Sequence, residues 1–372
     1  MDTNTCTDID KCRTLYDIMW TCLTTIFVCI WVSVHPNMPP QPEKISPSWC
    51  RLMMMLVALI APEIMVAFAA RQWFSAKRFS KEHKISLTHG FFYSMGGFVD
   101  TEGYPIIDEE QVTPLVLAAM KAVSEADIED KSKRDALAKL LAVTQILRVV
   151  AQSLARWNQH LAITSLEIAT VAYAVVTTFM WFFWMSKPLD TETTIQIAVE
   201  NPHSTQGGTV AWFHTKDSWN AMDRFLGMLL GYSQSFDTRN LKNVPAFFSP
   251  PQDWQRVART AFRFECAVAI AFGAIHCVAW NTKFPSMAEK WMWCLSAVVV
   301  TVVPVALLVV WDPYIPLPDW LATAIWYLAV FAGVPLYVVA RLFLLGLPFT
   351  TLRSLEPAVL VNVRWEIYIP HL

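Results

Sequence analysis

The chain has 372 residues, of which 55% are hydrophobic and 16% are charged. Soluble domains carry about 25% charged residues, so this composition argues against soluble domains and favours a multi-pass membrane protein. The formal charge of −2 provides no positive excess for a nucleic-acid partner. The 17 tryptophans are typical of chains whose indole rings lie at membrane interfaces.

Apolar runs of about 20 residues, the length that crosses a hydrocarbon core of ~30 Å, recur along the chain. The predicted fold is therefore all-α, a polytopic transmembrane helical bundle that forms one module over residues 1–372. Seven spans are predicted, near 15–34, 50–70, 135–156, 161–184, 264–280, 291–311 and 320–345. The number falls to six if the segment 135–156 lies on the membrane surface.

Two long connections, 71–134 and 185–263, join these runs. Lys and Arg concentrate near the membrane ends of both, which predicts that both connections are cytosolic. With seven spans, the N-terminus is then cytosolic and the C-terminal tail lies outside. The tail segment "VLVNVRWEIYI" alternates apolar and polar residues, which predicts a short strand on a surface.

The predicted span 135–156 carries a polar stripe on one helical face. The stripe consists of Gln145, Arg148, Gln152 and Arg156. Depths counted at ~1.5 Å per residue from the turn after this span place Arg148 level with Glu167 on the next span. An Arg148–Glu167 ion pair is therefore predicted. It either pins the two helices together or forms part of a polar lining for an ion, a proton or a small polar substrate.

Other ionisable side chains fall inside apolar runs, where they are costly and usually face the bundle interior. Glu63 follows Pro62, so this step is either a kink satisfied by its neighbours or part of a site. The secondary candidates are His89, Glu265 and His276. His276 fits a packed interior residue better than a metal ligand, and the sequence predicts no metal site and no cofactor.

The stretch "THGFFYSMGGFVD", residues 88–100, holds three of the chain's 11 glycines. Gly96 and Gly97 allow a tight reversal and a close approach of backbone, and the aromatic rings suit the headgroup depth. An interfacial or shallow re-entrant element is predicted here. It is either a packed connector or a gate that presents His89 to a ligand.

Eight cysteines occur in the chain. Six lie within or at the ends of apolar runs, where a thiol behaves as a small hydrophobic group. Only Cys6 and Cys12 lie in the N-terminal tail, so a disulfide is considered for this pair alone.

Several motifs together resemble a large group of uncharacterised fungal polytopic membrane proteins. They are "TIFVCIWVSVHPNMP", "APEIMVAFAARQW", "LTHGFFYSMGGF", "ITSLEIATVAYA", "KPLD" and the terminal "IPHL". The resemblance implies a fungal source and an intact single module. It implies no activity and no catalytic residues.

Three classes of function are compatible with these features, and an enzyme is the less favoured class. The first is transport or sensing of a small molecule or ion through an intramembrane polar cluster of Glu63, Gln145, Arg148, Gln152 and Glu167. The second is a membrane enzyme acting on a terpenoid or prenyl substrate, with a buried carboxylate as general acid. The third is a membrane scaffold or assembly subunit. The expected partners are the lipid bilayer and a small lipophilic or ionic ligand, and an oligomer is compatible with the sequence.

Overall fold

The computed structural model describes residues 12–38, 47–132, 136–189, 191, 193–197, 209–210, 236–237, 244, 248–249, 254–311 and 316–368. The chain divides into two compact units, and the single transmembrane module over residues 1–372 remains a prediction. Unit 1 comprises Met1–Val32, Leu137–Thr178 and Cys266–Leu372. Unit 2 comprises Ser33–Ala136 and Phe179–Glu265.

The described residues are predominantly helical. Their α-helices are α1 (Leu15–Ser33), α2 (Pro47–Ile60), α3 (Pro62–His83), α4 (Leu87–Ser94), α5 (Pro114–Ala122), α6 (Glu125–Asp130), α7 (Ala136–Asn158), α8 (Ser165–Trp184), α9 (Trp254–Cys277), α10 (Met287–Trp311), α11 (Asp319–Leu328) and α12 (Val334–Thr351). A π-helical turn, Ala329–Gly333, joins α11 to α12. Two pairs of two-residue strands are present, β1 (Phe98–Val99) parallel to β2 (Ile195–Gln196), and β3 (Thr209–Val210) antiparallel to β4 (Phe236–Asp237).

Six helical segments of the described chain are long and apolar enough to cross a membrane. They are Leu15–Ser33, Leu137–Asn158, Ser165–Trp184, Arg259–Asn281, Met287–Val310 and Asp319–Ser354. The fold is therefore a helical one with six candidate membrane spans, and Leu137–Asn158, in the region of the predicted span 135–156, is one of them. The predicted number of seven is reached only if the bent pair α2–α3 counts as one span.

The region predicted as one span over 50–70 is instead two helices. The axes of α2 and α3 are bent by 118° at a break around Ala61. Pro62 takes the first position of α3, where its missing N–H removes no helical hydrogen bond. Pro62 thus begins a new helix rather than kinking a continuous one, and Glu63 lies buried in the first turn of α3.

The C-terminal tail is not the predicted strand. It forms short 3-10 turns at Leu352–Ser354, Pro357–Leu360 and Trp365–Ile367, with one isolated bridge between Cys12 and Val361. Its carbonyl groups accept hydrogen bonds from the N-terminal segment and from buried arginines (described below). Among the described residues, the tail thus pairs with a neighbouring segment only at this one bridge.

Residues 88–100 lie in the hydrophobic core of unit 2. The side chains of Phe92, Tyr93 and Phe98 are fully buried. Gly96 adopts a positive φ of 79°, and a Cβ on Gly90 would lie 2.4 Å from the Ala76 carbonyl oxygen. Gly96 therefore serves the reversal that the sequence predicts, and Gly90 allows a close α3–α4 contact that was not predicted.

His89 has a structural partner on each side of its ring. Its Nδ1 lies 2.7 Å from Ser86 Oγ, and its Nε2 lies 2.9 Å from the Val123 carbonyl oxygen. This geometry is that of a packed connector, one of the two alternatives for this stretch.

Candidate functional site

Three chain segments meet at one end of unit 1, which we call the terminal end. They are the N-terminal segment from Cys12, the turn between α7 and α8, and the tail after Thr351. The Arg13 amide donates to the Leu360 carbonyl oxygen at 2.9 Å. Ser165 Oγ lies 2.7 Å from Thr351 Oγ1, and Asn158 Nδ2 donates to the Tyr368 hydroxyl oxygen at 2.9 Å.

Glu167 is fixed in the first turn of α8 by a reciprocal cap. Its Oε2 accepts from the Thr164 amide and hydroxyl, each at 2.9 Å, and the Glu167 amide donates to Thr164 Oγ1 at 3.1 Å. This is a capping box, which satisfies donors that the start of a helix leaves free. The same carboxylate forms a bidentate, buried ion pair with the Arg13 guanidinium, whose Nη2 lies 3.1 Å from Oε2.

Arg156 is fully buried at the end of α7 and is held by backbone carbonyls. Its Nε donates to Ala162 at 2.9 Å, its Nη1 to Val361 at 2.7 Å and its Nη2 to Val359 at 3.1 Å. Arg13 Nε donates to the same Val359 carbonyl at 2.7 Å. Two buried arginines thus fasten the tail to the terminal end.

A pocket of about 400 Å³ opens beside these arginines. Its walls come from α1, α7, the start of α8 and the tail. The polar lining side chains are Arg13, Asp17, Thr21, Arg148, Gln152, Ser153, Arg156, Glu167 and Asn362. Three arginines against two carboxylates leave one formal positive charge, 3 − 2 = +1, in this lining. The pocket is therefore suited electrostatically to an anion.

The lining side chains differ in how far their hydrogen-bonding capacity is used. Arg13 and Arg156 are engaged as described above. Within the described part of the chain, no protein group forms a hydrogen bond with the side chain of Arg148, Gln152 or Asn362. Asp17 lies within electrostatic range of Arg148, but its Oδ2 accepts from Thr14. The pocket thus presents a guanidinium and two amides whose donors form no hydrogen bond with a described residue.

The structure brings together three of the five intramembrane candidates. Arg148, Gln152 and Glu167 line the pocket, whereas Gln145 lies outside it on the same helix. The predicted Arg148–Glu167 ion pair is wrong, because Arg13 takes the Glu167 carboxylate. Arg13 precedes the first apolar run. Counting residue depth within the predicted spans therefore could not identify Arg13 as the partner of Glu167.

The remaining carboxylate candidates lie in unit 2. Glu63 on α3 and Glu265 on α9 are both buried, and both lie within electrostatic range of one another. Arg71, two turns after Glu63 on α3, interacts electrostatically with Glu265. Nothing in the sequence links Glu63 or Arg71 to Glu265, which lies far away along the chain.

His276 is a packed residue of unit 1. Its Nδ1 lies 2.7 Å from the Phe272 carbonyl oxygen, and the Trp293 indole donates to the His276 carbonyl at 3.0 Å. Among the described residues, no group of three or more His, Cys, Asp or Glu side chains is arranged to hold a metal ion.

A buried lysine in unit 2 was not predicted as a site residue. Lys187 Nζ donates to the His35 carbonyl at 2.6 Å, to Gln72 Oε1 at 2.9 Å and to Asn37 Oδ1 at 3.1 Å. The Trp184 indole also donates to Gln72 Oε1, at 2.9 Å. Burial lowers the pKa of the Lys187 ammonium group well below its ordinary value.

The Lys187 network joins three motifs that are far apart in the sequence. They are the "HPN" of residues 35–37, the "RQW" of residues 71–73 and the "KPLD" that begins at Lys187. In the sequence, the network is signalled only by the presence of polar residues in all three motifs. No spacing rule connects them, because their partnership depends on the tertiary fold.

Cys12, at the wall of the pocket, is disulfide-bonded. The other residue considered for this pair, Cys6, lies outside the described residues. The cysteines of the apolar runs (Cys22, Cys29, Cys50, Cys266, Cys277 and Cys294) have free thiols.

Comparison with known proteins identifies a family but no activity. No match to the chain was found among curated proteins or among solved structures. The family profile of DUF8562 matches residues 1–91 and 78–206, which together cover more than half of the 372 residues. These segments include α1, α7, α8 and the residues of the Lys187 network. The chain belongs to DUF8562, a family of unknown function.

Proposed function

We propose that the chain is a multi-pass integral membrane protein that binds a small organic anion in the terminal-end pocket, as the recognition step of transport or sensing. The membrane assignment is supported by six helices of spanning length and apolarity and by the low content of charged residues. On the resemblance alone, we also propose a fungal source.

The observation that carries the ligand class is the guanidinium of Arg148, which forms no hydrogen bond with any described residue and interacts electrostatically with Asp17. It lines a pocket of about 400 Å³ together with the amides of Gln152 and Asn362, which likewise form no hydrogen bond with a described residue. A guanidinium presents a planar fork of donors that matches a carboxylate or a phosphate. Arg13 and Arg156 cannot serve in this way without giving up their protein partners.

The apolar part of the lining favours an organic anion over an inorganic one. Ile18, Val149 and Trp365 contribute to the walls. Ligand pockets of this kind combine an apolar surface with a few convergent polar groups.

Binding of two matched probes tests the proposal. Benzoate and benzylamine share an aromatic ring and differ in the sign of their charge. We expect benzoate, but not benzylamine, to raise the unfolding temperature of the purified protein in detergent. In Arg148→Ala, benzoate affinity should fall at least about tenfold, because hydrogen bonds to charged groups contribute about 1.5–3 kcal/mol.

Arg78→Ala is the control for that experiment. Arg78 is a partly exposed arginine of unit 2 that pairs with Glu82 at 3.7 Å, so its removal should leave benzoate binding unchanged. Unchanged benzoate affinity in Arg148→Ala, or equal stabilisation by benzylamine, would refute the anion site.

A further inference from the structure

We infer that the terminal-end pocket opens on the non-cytosolic side of the membrane, so that its ligand is taken from an oxidising compartment. This inference rests on the membrane assignment of the proposed function and adds the side from which the site is loaded. It places both the N-terminal segment and the C-terminal tail on that side.

The first argument is the parity of helix crossings. α1 begins at the terminal end and α7 ends there, because Arg13 and Arg156 donate to the same Val359 carbonyl. The chain therefore leaves α1 and enters α7 on the opposite side. An even number of crossings must separate these two helices.

The bent pair α2–α3 lies between α1 and α7 in the chain. Because the number of crossings between α1 and α7 must be even, the pair does not form one additional crossing. Its 118° bend fits a pair that enters and returns on one side.

The turn between α9 and α10 and the end of α12 also lie at the terminal end. The turn between α9 and α10 is joined to the tail by the Lys283–Glu356 ion pair. Arg353 pairs with Glu289 of α10 at 3.0 Å, directly after the end of α12. Six crossings therefore begin and end on one side, unlike the seven-span topology, which separates the termini.

The second argument is the disulfide at Cys12, on the wall of the pocket. Disulfides persist in secretory, extracellular and other oxidising compartments and are rare in the cytosol. The terminal end is therefore expected to face such a compartment.

The third argument is the distribution of positive charge in the sequence. After α2, five Lys and Arg residues follow within the segment 71–84, and Arg256, Arg259 and Arg263 precede or begin the apolar part of α9. The short connections at the terminal end, 159–164 and 282–286, contain only Lys283, and the helix ends and terminal segments there add Lys11, Arg13, Arg156, Lys290, Arg353 and Arg364. The connections 71–134 and 185–263 carry the larger number of Lys and Arg residues, 9 + 8 = 17. Cytosolic connections carry the excess of Lys and Arg, so the terminal end is the non-cytosolic one.

Engineered glycosylation acceptors test this sidedness. The sequence contains no Asn-x-Ser/Thr acceptor of its own, so any modification reports an introduced site. One acceptor is appended through a flexible linker before Met1, a second after Leu372, and a third is inserted after the exposed Glu102. In microsomes, we expect glycosylation of both terminal acceptors and none at position 102.

A membrane-impermeant maleimide gives a second readout on a cysteine appended after Leu372. On sealed microsomes, it should react only after permeabilisation. Labelling of intact microsomes, or glycosylation at position 102 with unmodified termini, would overturn the inference and leave anion binding untouched. Release of the chain from membranes by alkaline carbonate would overturn the membrane assignment as well.

Discussion

The two arginines at the terminal end are buried by different means. Arg13 is compensated by a carboxylate, whereas Arg156 is surrounded by carbonyl oxygens of the turn and tail. Burying a charge is costly unless it is paired and hydrogen-bonded, and each arrangement provides several acceptors. These residues build the wall of the pocket, and Arg148 is the arginine of the lining to which we assign the proposed ligand.

The Arg13–Glu167 pair should therefore affect stability. We expect Glu167→Gln to lower the free energy of unfolding by about 3–5 kcal/mol, because it leaves the Arg13 guanidinium buried without its counter-charge. The double variant Arg13→Met/Glu167→Gln should lose less than the sum of the two single variants. Unfolding in SDS, followed by tryptophan fluorescence, measures these values.

The exposed ion pair of Lys283 with Glu356 is the matched control at the same end. Its removal by Lys283→Ala should cost no more than about 1 kcal/mol. Equal losses from Glu167→Gln and Lys283→Ala would contradict the role assigned to the buried pair.

Lys187 provides a pH-dependent prediction. Its pKa is lowered by burial, so the unfolded chain binds the proton more tightly than the folded chain. Stability should then rise as the pH increases from the lowered folded-state pKa towards the ordinary lysine value near 10.4. Unfolding temperatures across this range should rise in the wild-type protein, and this component should disappear in Lys187→Met.

Lys131→Met is the comparison for Lys187→Met, because Lys131 is only partly buried and contacts Thr193. It should keep the pH dependence of the wild type. An unaltered slope in Lys187→Met would show that Lys187 does not titrate in this window.

At the scale of elements, α3 and α4 are packed so closely that one position admits only glycine. A Cβ on Gly90 would lie 2.4 Å from the Ala76 carbonyl oxygen, which belongs to the backbone and cannot rotate away. By contrast, a Cβ on Gly346 of α12 would meet no atom within 4 Å. The two glycines therefore differ in what an added methyl group would do.

We predict that Gly90→Ala destabilises the protein by about 1–3 kcal/mol through overpacking. Gly346→Ala should be neutral or stabilising by up to about 1 kcal/mol, since alanine favours the helix over glycine. Unfolding midpoints of the two variants provide the measurement. A tolerated Gly90→Ala would mean that α3 and α4 can separate without cost.

The elements that the sequence reveals are those whose signal is local. Long apolar runs indicate the helices, and the Gly96-Gly97 step indicates the reversal. Pro62 signals a kink within the apolar run, but a proline alone does not show whether a helix bends or ends there. The break into two helices at 118° was therefore not predicted. The alternation in the tail indicates a strand only where a neighbouring strand is available, and here Arg13 and Arg156 take the carbonyl groups.

The pocket could be predicted only in part, for a similar reason. Arg148 and Gln152 share a helical stripe, which periodicity detects. Arg13 and Asn362 come from opposite ends of the chain, and their place beside that stripe depends on how the termini meet. Local sequence patterns do not reveal that the N-terminal segment and the C-terminal tail are in contact.

At the scale of the whole molecule, one arrangement links the pocket to the termini. The N-terminal segment and the tail meet beside α7 and α8, and their contact completes the wall around Arg148. The proposed anion binding and the proposed sidedness concern this same end, but they are separate proposals with separate tests.

A cysteine introduced beside Arg148 tests anion binding most directly. Ser153 lines the pocket on α7, and Ser153→Cys can be modified by an anionic or a cationic methanethiosulfonate of similar size, with the parent chain as background. We predict that the anionic reagent reacts several-fold faster, that benzoate slows this reaction, and that Arg148→Ala removes the preference. Faster reaction of the cationic reagent, or a rate that benzoate does not alter, would contradict the account.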